Sequence, residues 1–200
     1  GLNEMRSFFA AALRALKFLL LLLIGYFAQA CILPYFKVSG VTPSLMFAVV
    51  AVVTVCYGRL RAFWAGGFYG ILMETLLPTV PCFSMVLYPV AAVFSALPFS
   101  DKSDKRLEYE RSLNKPARNL NPYLRTVLCA GMNCLIYEVV NVTYVYLGGT
   151  TLTAEHIGRA VLNIVLTMLI ALLIALPVRR FLGFKRLHGE KTKTPAPRPA

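Results

Sequence analysis

The chain has 200 residues, 58% of them hydrophobic and 15% charged, with a mean hydropathy of +0.63. Soluble domains run at roughly 45–50% apolar and about 25% charged, so this composition excludes a soluble single domain. The net charge is +12 and the pI about 9.8; in so apolar a chain the basic residues report topology and headgroup contact rather than a nucleic-acid partner.

Six apolar stretches follow one another at residues 18–36, 41–57, 63–77, 82–99, 123–147 and 157–178. At about 20 residues per crossing they predict an all-α integral membrane protein with six transmembrane helices. The first stretch follows Arg14 and Lys17 and contains Ala28-Gln29-Ala30, a small-x-small pattern that also fits a cleaved signal peptide. Its length, and the multi-spanning chain that follows, favour a retained first span. The third stretch is the shortest and is Gly-rich, which predicts a tilted or broken helix. A polar connection at residues 100–122 reads first as a solvated cytoplasmic loop, with Asp101/Lys105 and Arg106/Glu110 pairs four apart that would suit a short surface helix as the alternative. Residues 1–182 read as one polytopic membrane domain, and residues 183–200 as a basic, Pro-rich disordered tail.

Six alternating spans place 19 of the 21 Lys and Arg residues on one side and only Lys37 and Arg159 on the other. By the positive-inside rule both termini face the cytoplasm. The connections on the opposite side, 37–40, 78–81 and 148–156, are short. On the basic side Arg59, Arg61, Arg179, Arg180, Lys185 and Arg186 are candidate lipid-headgroup contacts.

A carboxylate deep in a bilayer costs at least a few kcal/mol unless it is paired, protonated or wet. Glu74 and Glu138 are the acids well inside apolar stretches, at about 18 and 22 Å from the basic side at 1.5 Å per residue. They are expected to share one polar pocket with Asn133 and Asn141, on the side opposite the basic surface. Glu138 and Asn141 stand three apart, on one helix face, and Asn133 on another bearing. The alternative role for Asn133, Glu138 and Asn141 is hydrogen bonding between helices.

Ala62, Gly66 and Gly70 recur every fourth residue, a smooth stripe for close helix approach. With Pro43 they form a candidate packing or partner face, internal packing being favoured, and Ala11/Ala15 form a weaker pair. Five cysteines lie within or at the ends of apolar runs, without CxxC spacing, and His156 and His188 stand apart from them. No metal site, disulfide framework or cofactor is expected. Nucleophile-elbow, HExxH and P-loop motifs are absent, so the chain reads as a non-enzyme.

Residues 41–96 resemble the rod shape-determining protein MreD family, in which a Pro-acid pair opens an apolar helix and a Gly-rich helix ends in Gly-Leu-x-x-Asp. Here Thr42-Pro43-Ser44-Leu45 opens the second span, and Gly66-Gly67-Phe68-Tyr69-Gly70-Ile71-Leu72-Met73-Glu74 follows. Ser44 stands where the family has an acid, and Glu74 where it has Asp. The last span, with Ala175-Leu176-Pro177 before Arg179-Arg180, is similar to the family's closing helix. The resemblance covers about half the chain. It implies a scaffold of the bacterial cytoplasmic membrane that binds MreC and helps couple MreB filaments to RodA and its penicillin-binding transpeptidase. A six-helix chain with both termini inside also resembles the S-component-like bundle of energy-coupling-factor transporters. That resemblance implies a vitamin or cation held by Glu74, Glu138, Asn133 or Trp64, and a coupling subunit on Ala11/Ala15. A membrane enzyme that modifies lipid is the third class.

Overall fold

A computed structural model describes residues 1–76, 83–99, 108–110, 112–114 and 121–183. It is all-α: α1 (Leu2–Phe27), α2 (Leu45–Tyr57), α3 (Arg59–Leu76), α4 (Phe83–Phe99), α5 (Pro122–Leu147) and α6 (Ala154–Phe181). A π turn (Ala28–Ile32) and a 3-10 turn (Leu33–Tyr35) extend α1. The chain then reverses through a tight turn closed by paired Val38 and Val41 backbone hydrogen bonds of 3.1 and 2.9 Å.

Three segments are long and apolar enough to cross a membrane: Leu2–Tyr35, Pro122–Leu147 and Ala154–Phe181. They make this a membrane protein by length and composition. The remaining apolar helices are shorter: α2 has 13 residues, which at 1.5 Å each reach only about 20 Å of a ~30 Å hydrocarbon core. The first helix begins well before the apolar run at residue 18, because Leu2–Lys17 contains neither Gly nor Pro to stop it. Leu2, Met5, Phe9, Leu13 and Leu16 run along one face of this helix, flanked by rather than opposite to Arg6 and Lys17.

α2 is apolar on every side and every residue from Met46 to Val55 is buried, the pattern of a helix enclosed by others. It packs against all five other helices. Gly58 lets the chain leave α2 and enter α3 across one residue, at φ +87° and ψ −168°, a conformation open in practice to glycine alone. Phe47 of α2 stacks on Tyr88 of α4 at 4.9 Å, and Tyr137 of α5 closes on both rings at 5.4 and 5.8 Å.

Where α3 meets α4 the small stripe is used up. A Cβ added at Gly66 would stand 2.9 Å from both the Ala92 Cβ and the Tyr88 carbonyl, and one at Gly70 would stand 2.6 Å from the Ser84 carbonyl. Ala62 is fully buried. The Gly66/Gly70 face thus packs closely on α4, with Ala62 buried one turn before it. Pro43 lies apart from this stripe, buried two residues before α2, with its carbonyl accepting a 3.3 Å hydrogen bond from Gln29 Nε2.

Candidate functional site

α2 begins without a side-chain cap from Ser44, although its first N–H groups lack intrahelical acceptors. Tertiary partners supply them. Leu45 N–H donates to Gln29 Oε1 on the π turn at 2.6 Å, and Ser44 N–H donates to Thr167 Oγ1 on α6 at 3.2 Å. The Thr167 hydroxyl donates to Asn163 Oδ1 at 3.4 Å, and Asn163 Nδ2 donates to Glu138 Oε1 on α5 at 2.5 Å. From Ser44 through Thr167 and Asn163 each donor points toward the Glu138 carboxylate, so the positive end of α2 and two side-chain dipoles polarise one another along that series.

This relay ends in a cavity of about 270 Å³ between α5, α6 and the turn before α2. Glu138, Asn141 and Asn163 contribute its polar wall, Arg159 and His156 further polar atoms, and Val41, Val142, Val145 and Leu152 an apolar one. Asn163 stands four residues before Thr167 and four after Arg159, which puts all three on one face of α6. Arg159 forms a 2.6 Å ion pair with Glu155; both side chains are more than half exposed, so the pair contributes little stability. His156 belongs to the start of α6, its Nδ1 2.8 Å from the Thr153 hydroxyl in a capping box.

Of the four residues expected to share a pocket, only Glu138 and Asn141 line this cavity. Asn133 turns into the core, buried, with its Nδ2 donating back one turn to the Cys129 carbonyl at 3.2 Å. Glu74 lies near the end of α3, partly buried, and does not line the cavity. The bearing of each side chain explains the separation: 133 and 138 are five positions apart, more than a full turn, and face different neighbours. Gln29, Asn163, Thr167, His156 and Arg159 were not legible as one site. The four-residue spacing of Asn163 and Thr167 inside the last apolar run was the available signal.

At the other end of the bundle Arg59 and Arg61 open α3, and Arg179 and Arg180 close α6. Arg59, Arg61 and Arg180 are exposed. Arg179, expected at headgroups, is instead 9% exposed, its guanidinium 3.5 Å from Cys56 Sγ and 5.9 Å from the Tyr123 ring centre. It ties the ends of α2, α5 and α6 together, a fastening role for a cation whose stem is already among apolar neighbours. Lys185 and Arg186 lie outside the described residues.

The cavity's lining combines a carboxylate, two carboxamides, a guanidinium and an imidazole with apolar walls, a set suited to binding a small polar molecule. Among the described residues no Ser, Thr or Cys lines it. Among the described residues no three His, Cys, Asp or Glu side chains converge as a metal site. No family model, curated protein or solved structure matches the chain.

Proposed function

We propose that this chain is an MreD-like scaffold of the bacterial cytoplasmic membrane, crossing six times with both termini in the cytoplasm. It binds MreC and through it helps couple MreB filaments to RodA and its penicillin-binding transpeptidase. The resemblance across residues 41–96 suggests the family. The observation that supports a scaffold is how α1 is held: of its 26 residues only Leu21, Leu22 and Gly25 are buried. A membrane helix attached at one end leaves long flanks for another protein's helix, and packing against such flanks is how membrane subunits associate. On α6, Val161, Val165, Leu169 and Leu173 are likewise exposed, along the length of the helix.

The cavity beside Glu138 favours a second reading, the substrate-binding S-component of an energy-coupling-factor transporter. There Glu138, Asn141 and Asn163 contact the solute and the α1 flank meets the coupling subunit. Affinity purification of the tagged protein from native membranes in mild detergent, followed by mass spectrometry, separates the two. MreC with cell-wall polymerases supports the scaffold; a transmembrane coupling subunit with ATPases supports the transporter. Recovery of neither set removes both.

A further inference from the structure

A second cleft opens at the arginine-bearing end of the bundle, between α1 and α3, with a volume of about 380 Å³. Ala11 and Ala15, which lack bulk, line it together with Arg14, Phe18, Arg61 and Trp64. Arg61 is fixed over the Tyr57 ring at 4.1 Å and lies 5.8 Å from the Phe18 ring. Phe18 in turn meets Tyr57 edge-on at 6.2 Å. The guanidinium is thus oriented by two aromatic rings rather than by an acid. Among the described residues no acidic side chain lines the cleft.

Its level along the helices is dictated by sequence. Arg14 and Lys17 immediately precede the unbroken apolar run Phe18–Ile24 of α1, and Arg61 comes at the third residue of α3. Cations at the edge of an apolar run belong at the phosphate level of a bilayer, and an exposed indole such as Trp64, 64% accessible, belongs just beneath it. Phe18 follows Arg14, and Trp64 follows Arg61, by about one helical turn toward the apolar side, so two cations followed by two aromatic rings match a molecule that is anionic at one end and hydrocarbon at the other. Free phosphate has no use for the rings.

We infer that the α1/α3 cleft is a binding site for one anionic glycerophospholipid, with Arg14 and Arg61 holding its phosphate and Phe18 and Trp64 flanking its acyl chains. The site spans the one loosely attached helix and the bundle, so occupancy fastens the first half of α1. Neither the MreD-like nor the transporter reading is needed for it.

Trp64 is the sole tryptophan in the chain, so its fluorescence reports the cleft directly. The full chain is reconstituted in phosphatidylcholine vesicles containing either brominated phosphatidylglycerol or brominated phosphatidylcholine, and quenching of Trp64 is measured. Two cations at the bilayer surface predict a preference of about thirtyfold for phosphatidylglycerol. Competition by unbrominated phosphatidylglycerol should reverse the quenching. The R14Q/R61Q variant should bring the ratio to about one, whereas R6Q/R180Q, which removes as much charge elsewhere, should keep it. Equal quenching by both lipids in the unaltered chain overturns the inference, as does a preference that survives R14Q/R61Q. Loss of the preference on adding inorganic phosphate also overturns it, because the site is then an anion site and not a lipid site.

Discussion

Glu138 on α5 accepts a 2.5 Å hydrogen bond from the Asn163 carboxamide on α6, and among the described residues it forms no ion pair. The carboxylate is held at a cavity wall by a neutral donor, which is itself oriented by Thr167 and the first turn of α2. Glu138→Gln retains an oxygen that accepts from Asn163, so unfolding in detergent should shift by less than about 1 kcal/mol. Asn163→Leu strips the carboxylate of its donor and should cost about 1–3 kcal/mol. If Glu138→Gln abolishes function at normal abundance, the side chain contacts a ligand and does more than join two helices.

Gly67 and Gly70 sit three residues apart on α3 and differ in what surrounds them. A Cβ at Gly70 collides with the Ser84 backbone, whereas one at Gly67 meets nothing within 4 Å. Gly70→Ala should destabilise by about 1–3 kcal/mol, and Gly70→Leu should reduce membrane abundance sharply. Gly67→Ala should be neutral or stabilise by up to about 1 kcal/mol through its helix propensity. Thermal unfolding of the three variants side by side checks this, and equal effects at 67 and 70 would remove the internal-packing assignment.

Gly25 is where α1 meets the bundle, and the Tyr69 hydroxyl lies directly against the place its Cβ would occupy. Among the described residues that buried hydroxyl has no hydrogen-bond partner. Gly25→Ala should loosen α1, seen as faster proteolysis of residues 1–20. Tyr69→Phe removes the obstructing oxygen at little cost and should restore protection in the double variant, a non-additivity expected only of residues in contact. Simple additivity of the two changes would refute the contact.

Gln29 closes both sides of the α2 entrance, accepting from Leu45 N–H and donating to the Pro43 carbonyl. Gln29→Leu leaves both backbone groups unsatisfied and should cost about 1–3 kcal/mol. Gln29→Glu keeps the acceptor and loses the donor, so its loss should be smaller than that of Leu if the Leu45 bond dominates. Urea or thermal unfolding in micelles orders the two.

Composition and hydrophobic runs by themselves determined that this is an all-α membrane protein. They also located α5 and α6 to within a few residues, because a long apolar helix is dictated by local chain chemistry and the exclusion of water. The four-residue spacing of Ala62, Gly66 and Gly70 announced a close helix approach for the same local reason: absent side chains are visible in sequence. Local pattern also marked Glu138 and Asn141 as one face of one helix. Only the tertiary structure decided that the stripe meets α4, that Asn133 points inward while Glu138 opens on a cavity, and that Arg179 turns away from the surface. The relay from Ser44 through Thr167 and Asn163 joins residues up to 123 positions apart, and no local periodicity encodes such a pairing. Helices form from neighbours in sequence, but the partner of a polar group in a bundle is set by the rotation and depth of whole helices, which packing alone fixes.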